Sequence, residues 1–240
     1  QLQARMQRAE LELAMVSQSP KTIEPGRYRV YLTPRALREV LDMMAWGGFG
    51  LKSQRTGQSP LIRMQTEQLR LDPAVQLSEH HGRGLEPPFT SRGFTKPDRI
   101  RLVTDGAYQD SLVCARSARE YDIGVNASVE WPASLDMASG SLSAGDVLDA
   151  LDTGLYINNL WYLNFSDRNE ARITGMTRFA CLWIERGRIV APVDVMRFDE
   201  TLYSILGSGL LALTREQEHL FDSSTYERRS QDSALLPGAL

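Results

Sequence analysis

The sequence predicts an α+β fold, with a mostly antiparallel, curved or barrel-like sheet and a few helices. Many short runs of aliphatic and aromatic residues are bounded by turn residues, whereas few segments have helical periodicity. Two turn sequences, Asp105-Gly106 and Glu185-Arg186-Gly187, each lie between two such runs, as in β-hairpins. Strands and helices do not alternate along the chain, which argues against a parallel, doubly wound sheet.

Composition excludes several functional classes. The 240 residues are 42% hydrophobic and 24% charged, which is ordinary for a globular domain. The formal net charge of −3 predicts no direct contact with nucleic acid. No run approaches the ~20 apolar residues of a membrane span, so we expect no membrane partner. Two cysteines, Cys114 and Cys181, are too few for a disulfide framework, and we interpret them as reduced residues of a cytoplasmic protein.

The first third of the chain predicts two helices and a strand. Apolar residues at alternating spacings of four and three predict the first helix: Leu2, Met6, Ala9, Leu13 and Val16. Because the sequence opens within this helix and without Met, we expect residues 1–26 to be the end of a preceding helix and a linker, before a domain over 27–240. Alternation over 27–32 predicts a strand. Thr33-Pro34 is a typical helix start, and Gly47-Gly48 ends that second helix.

The remaining elements are mostly strands and loops. We predict a surface loop or short helix over 51–60, a loop over 71–97, a hairpin over 100–113 and a short helix over 115–121. A strand-forming run over 155–165 is interrupted by Asn158-Asn159 and ends in an aromatic strand over 161–165, and it is followed by a second hairpin over 179–195 and a helix over 201–211.

The three histidines, His80, His81 and His219, lack the spacing of a zinc site. A zinc-binding helix places two imidazoles one turn apart, with a glutamate that handles the water. Here Glu79, His80 and His81 are adjacent on a predicted loop, and His219 lies in a helix-like stretch without a second histidine nearby. We therefore predict surface positions for all three histidines and no metal ligand.

Two further features are candidates for chemistry. Cys181 lies inside a predicted strand, which favours a buried core cysteine over an activated thiolate. A polar run follows the aromatic strand, and Asp167, Arg168 and Asn169 within it are candidates for recognising a peptide terminus. The alternative for this run is a solvated loop between two strands.

Several segments in order resemble the C-terminal half of the TldD/PmbA family. TGLYINNLW (153–161) and LWIERGRIVAPV (182–193) resemble its strand and hairpin signatures. Upstream, the strand over 27–32 with its following helix, the GFTKP turn (93–97) and the hairpin over 100–112 are similar as well. The resemblance covers most of residues 27–210, and it implies that the N-terminal α/β domain of the family is absent from this chain.

The resemblance also implies that the family's zinc motif is degenerate here. Active TldD-type subunits carry an HExxxH helix, and the matching positions in this chain are Arg38, Glu39 and Met43. A late cysteine ligand would fall within 223–228, where the sequence has none. A guanidinium has no lone pair to donate, and a thioether suits softer ions than Zn²⁺.

The chain therefore resembles the TldE/PmbA-type subunit, known also as a modulator of DNA gyrase. This implies a non-catalytic or regulatory role in proteolytic processing of unfolded or modified peptides. No cofactor is expected in this chain, because zinc would belong to a TldD-like catalytic partner. A homodimer is the other expected assembly, through a patch of four apolar residues: Leu160, Trp161, Tyr162 and Phe165.

Two alternatives stay open. One is a self-standing peptidase or hydrolase that has moved its chemistry to Glu39, Cys181, His80 or His81. The other is a peptide-binding scaffold that has kept the fold and lost proteolysis.

Overall fold

The computed structural model describes residues 2–225 and 230–240 and contains two sheets with six α-helices. The helices are α1 (Leu2–Val16), α2 (Pro34–Ala45), α3 (Leu51–Arg55), α4 (Ile62–Gln65), α5 (Ala115–Tyr121) and α6 (Val147–Leu151). The strands are β1 (Val30–Leu32), β2 (Leu77–His80), β3 (Arg99–Thr104), β4 (Ala107–Tyr108), β5 (Ser134–Met137), β6 (Gly154–Ile157), β7 (Asn159–Asp167), β8 (Arg172–Arg178), β9 (Leu182–Glu185), β10 (Arg188–Pro192), β11 (Arg197–Thr201), β12 (Leu213–Ser224) and β13 (Ser230–Ala239).

The larger sheet is ten-stranded and open. Its strand order is β10-β9-β6-β1-β13-β5-β2-β3-β4, and β12 pairs with β13 off this path. Among the strand pairs of the described residues, β1–β6 and β13–β5 are parallel and the others are antiparallel. The smaller sheet has the order β11-β8-β7. The α+β prediction is confirmed, but within the described ranges the strands do not close into a barrel, because β10 and β4 each end the sheet.

Helix α2 forms where the sequence predicts it. The Thr33 hydroxyl accepts a hydrogen bond from the Ala36 amide at 3.3 Å, and Pro34 occupies the first helical position. Leu37, Leu41 and Met44 on its apolar face are fully buried. The helix packs against β1, β13 and β7, and so lies between the two sheets. This placement puts its polar side next to β7.

Both predicted hairpins are confirmed. Asp105 and Gly106 have positive φ angles of 49° and 69°, and Arg186 and Gly187 have φ angles of 52° and 72°. Such left-handed backbone at two consecutive residues matches the twist of the flanking strands. The first turn joins β3 to β4 and the second joins β9 to β10.

The C-terminal third differs most from the predictions. Residues 197–201 form β11, and 204–208 form a single π-helical turn rather than a helix over 201–211. The stretch around His219 belongs to β12 and not to a helix. The predicted loop over 71–97 contains β2, so Glu79 and His80 lie on a strand. Strands β2 and β11 are short and pair with strands some distance along the chain, whereas β12 is mostly polar, so local patterns miss all three.

The N-terminal segment packs against the sheet. Helix α1 contacts β10, and the Lys21 ammonium contacts a Glu185 carboxylate oxygen at 2.8 Å. The domain boundaries expected at 1–26 and 27–240 stay a prediction. Among the described helices, none is long and apolar enough to cross a membrane.

Candidate functional site

A groove of about 500 Å³ lies between α2 and β7. Acidic and apolar side chains of α2 line one side, and aromatic side chains line the other. The lining residues are Glu39, Asp42, Met43, Trp46, Trp131, Trp161, Tyr162 and Leu163. Two of the three positions that the family resemblance singled out, Glu39 and Met43, therefore lie at this groove.

The third such position, Arg38, forms a buried ion-pair network. Its side chain is 6% exposed, its Nε donates to an Asp42 carboxylate oxygen at 2.7 Å, and its Nη2 donates to Asp232 at 3.0 Å. The guanidinium is permanently charged and has no lone pair to donate to a metal ion, and it occupies the space between the two carboxylates. The residues present at the family's zinc positions therefore do not fit zinc, and no step through a metal follows from them.

The carboxyl groups around Arg38 hold protons unusually strongly. Burial raises the pKa of Asp42 to about 7, and the nearby Arg38 charge lowers it only in part. Burial also raises the pKa of Glu39 and of Asp232, again against an opposing effect of arginine. Near neutral pH this part of the groove thus carries less negative charge than its composition suggests.

Aromatic side chains form the exposed wall of the groove. Trp46 is 51% exposed and Trp161 is 48% exposed, and Tyr162 is still more exposed. Tyr162 has a φ of 53°, at an irregularity in the pairing of β7 with β8. The prediction that Leu160 belongs to an exposed apolar patch is wrong. Leu160 is buried, because side chains alternate between the two faces of a strand and that of Leu160 faces the core.

The polar run after β7 makes contacts within the chain. Arg168 donates from Nη2 to the Trp46 carbonyl at 2.6 Å and from Nε to the Gln58 carbonyl at 3.0 Å. The Asp167 carboxylate accepts from the Asn169 amide at 3.0 Å. These contacts tie the loop to the end of α2. Peptide binding by Asp167, Arg168 and Asn169 stays a prediction.

The predicted surface position of the histidines is wrong for His81. Its side chain is 2% exposed, and its Nε2 lies 3.4 Å from a Glu79 oxygen and 3.5 Å from a Glu86 oxygen. The Lys96 ammonium, also buried, contacts the same Glu86 oxygen. Segment 81–97 therefore brings Glu86 back to the end of β2, and sequence spacing gave no sign of this.

The Glu79, His81 and Glu86 ligand atoms lie within 4.8 Å of one another, which would suit a metal ion by distance alone. Lys96 supplies a cation there instead. The two carboxylates, the lysine and a protonated His81 would carry balanced charge. Burial lowers the pKa of His81, but its contacts with Glu86, the Pro97 carbonyl and Glu79 outweigh burial and raise it. Burial raises the pKa of Glu79.

The free energy of unfolding is expected to fall as the pH rises from about 5 to 8. The pKa values of Asp42, Glu79 and His81 are raised in the folded chain, so it holds protons that the unfolded chain releases. These groups stabilise the fold fully at pH values below their pKa values in the unfolded chain. The stabilisation is lost as the pH rises through their higher pKa values in the folded chain. The pKa of Glu86 is lowered, so its contribution is lost instead as the solution becomes acidic.

Urea unfolding at several pH values measures this slope. Asp42→Asn should flatten it, whereas Asp149→Asn, at an exposed position of α6, should leave it unchanged. Stability that increases steadily over the same pH range would contradict the assignment.

Cys181 is a buried core residue. It is 2% exposed, burial raises the pKa of its thiol, and its Sγ faces the Arg178 and Asn159 carbonyls. A thiol in this environment is held in its neutral form, which disfavours a nucleophilic role. The prediction that Cys181 is a buried core cysteine is therefore confirmed. The cysteine expected by the family falls within 223–228, partly outside the described residues.

Sequence reasoning missed several residues of the groove. Trp46 ends α2 and Trp131 comes from a distant loop, and neither was a candidate. Asp232 lies on β13, far from α2 in sequence. A tryptophan directly before Gly47-Gly48 was a local sign that could have drawn attention to the end of α2, but Asp232 had none.

Comparisons with known proteins agree on one family. The model of the PmbA/TldA metallopeptidase C-terminal domain matches residues 25–237. The chain therefore belongs to the PmbA/TldD family. No curated protein matches the sequence at a significant level.

Solved structures share the fold. TldE from Thermococcus kodakarensis is 12% identical with a TM-score of 0.75, and the match covers 97% of this chain and 52% of that one. A candidate modulator of a DNA gyrase from Thermotoga maritima MSB8 is 18% identical with a TM-score of 0.74, over 96% of this chain and 51% of that one. A similar protein from Bacteroides thetaiotaomicron VPI-5482 is 15% identical with a TM-score of 0.69, over 97% and 50%. The chain thus spans about half the length of these proteins.

Proposed function

We propose that this chain is a non-catalytic, peptide-binding part of a TldD/TldE-like proteolytic assembly. The observation that carries the proposal is the buried network that Arg38, at a position where the family would place a metal ligand, forms with Asp42 and Asp232. A catalytic metal ion at this position would have to displace the Arg38 guanidinium from its two carboxylates. The guanidinium would then be buried beside a second positive charge, which is costly. Zinc and the cleavage step would then belong to a TldD-type partner in the cytoplasm.

The groove beside α2 supports a peptide as the bound molecule. Exposed tryptophans such as Trp46 and Trp161 provide large, rigid apolar surfaces that bind side chains of any sequence. Arg178 stacks over the Trp161 ring at 4.2 Å and holds it in place. An unfolded peptide exposes apolar side chains that can pack against these tryptophans, whereas a folded protein buries most of its apolar side chains.

A fluorescein-labelled unfolded polypeptide such as β-casein tests this proposal by fluorescence anisotropy. Trp161→Ala is expected to weaken binding about tenfold, which corresponds to the loss of one strong aromatic contact. Phe89→Ala is a matched control, since Phe89 is a similarly exposed aromatic residue away from the groove. Circular dichroism should show that both variants are folded.

The same mixtures, followed by mass spectrometry, test for catalysis. The isolated chain is expected to leave the polypeptide intact with or without added zinc. Cleavage that a chelator abolishes would contradict the proposal. Cleavage that Cys181→Ala abolishes would favour the self-standing hydrolase instead.

A further inference from the structure

The outer edge of β3 borders a second groove, of about 640 Å³. That volume is within the range of about 300–1,000 Å³ that is typical of ligand sites. Strand β3 lies next to the end of the large sheet, whereas α2 packs against β1 and β13 near its middle. The groove is therefore distinct from the one beside α2.

The β3 edge is only partly paired. On its inner side β3 pairs with β2, with Ile100 opposite Glu79. On its outer side β4 pairs with Val103 and Thr104, and the Leu102 carbonyl accepts from the Gln109 amide at 2.9 Å. Within the part of the chain that the structure describes, no strand pairs with the outer side of residues 99–101.

The unpaired main-chain groups face this groove. The Asp98 carbonyl points inward, because it accepts from the His81 amide at 2.9 Å. Successive residues of a strand direct their main-chain groups to opposite sides, and Ile100 is paired inward like Asp98. The N–H and C=O groups of Arg99 and Arg101 therefore point outward, to where a further strand would lie.

The side chains at this edge select for negative charge. Arg99 and Arg101 are both exposed and project from the same face of β3, two residues apart. Arg99 donates from Nε to the Ser78 hydroxyl of β2 at 3.0 Å, so its guanidinium is held on the β2 side of the strand while still lining the groove. Asp110 is the acidic residue among those that line the groove, so two positive charges face one negative charge. The nearby Lys96 is buried against Glu86 and adds no free charge.

We propose that the β3 edge binds an extended, acidic segment of a partner polypeptide by strand addition. Main-chain hydrogen bonds to Arg99 and Arg101 supply affinity, and acidic side chains at alternate positions of the segment lie opposite the two guanidinium groups. A second copy of this chain is a poor occupant, because pairing two identical edges would bring arginines against arginines.

Anisotropy of a fluorescein-labelled peptide of about six residues, with glutamate at alternate positions and valine or threonine between them, tests the proposal. Its counterpart with lysine in place of glutamate should bind roughly tenfold more weakly or worse. Methylating the peptide nitrogens that would face β3 should abolish binding, because it removes the main-chain donors. Arg101→Glu should weaken binding of the glutamate peptide roughly tenfold and improve binding of the lysine peptide.

Arg116→Glu, at a highly exposed position of α5, is the matched control and should leave the affinity unchanged. Equal binding of the two peptides, or binding that survives N-methylation, would overturn the proposal. The proposal would also be overturned if single-stranded RNA competed with the peptide and if RNA binding depended equally on Arg99 and Arg101. A dimer of the chain in sedimentation that Arg101→Glu dissociates would assign the edge to self-association instead.

Discussion

Arg38→Ala is expected to lower the free energy of unfolding by about 3–5 kcal/mol, the range for removing one partner of a buried ion pair. The guanidinium is the cation that contacts both Asp42 and Asp232, at 2.7 Å and 3.0 Å. Without it, two partly buried carboxyl groups face each other, and they must take up protons or repel. Urea unfolding of the variant against the wild-type chain measures the loss.

The chain contains a matched control for this substitution. Arg116 also lies on a helix with an acidic residue four positions later, Glu120, but its side chain is 79% exposed and the pair is 4.0 Å apart. Arg116→Ala is therefore expected to cost less than about 1 kcal/mol. Adding Asp42→Asn and Asp232→Asn to Arg38→Met should restore much of the stability, because neutral side chains need no counter-charge. Equal losses in the two alanine variants would refute the buried network.

Lys96→Met is expected to cost about 3 kcal/mol, because it removes a buried cation from a cluster with two carboxylates. The Lys96 side chain is 1% exposed and contacts Glu86, which also lies 3.5 Å from His81 Nε2. Lys96 and Glu86 both lie within segment 81–97, and Glu86 also contacts His81 at the end of β2, so loss of the lysine should also loosen that segment. Urea unfolding and amide hydrogen exchange measure the two effects.

Adding Glu86→Gln to Lys96→Met should recover part of the loss, and a double-mutant cycle isolates the coupling between them. Lys52→Met, at an exposed position of α3, is the control and should change stability little. If Lys96→Met and Lys52→Met behaved alike, the cluster would be a set of solvated surface charges.

Local sequence signals were sufficient for much of the fold. The Thr33-Pro34 start of α2, the Asp105-Gly106 turn and the turn at Arg186-Gly187 each act within a few residues, and the structure contains all three. Strand β13 is different, because it takes its place between β1 and β5 through pairings far apart in sequence. It also contains Pro237, which obscures a strand pattern.

The site was predictable only where family resemblance supplied positions. Glu39 and Met43 were named in this way, and both line the groove beside α2. The partners that give the site its chemistry, such as Asp232 and Trp131, reach α2 only through the tertiary fold. His81 shows the same limit, because Glu86 and Lys96 lie on a loop whose return to the end of β2 no periodicity encodes.

Zinc content shows whether an ion-pair network has replaced the metal ligands beside α2. The purified chain would be saturated with zinc, passed over a chelating resin and measured by inductively coupled plasma mass spectrometry, beside Glu39→Gln and His81→Gln variants. We predict zinc far below one ion per chain in all three proteins, because Arg38 occupies the ligand position and Lys96 supplies the cation of the Glu79 cluster. One tightly held zinc per wild-type chain, lost in either variant, would contradict the account.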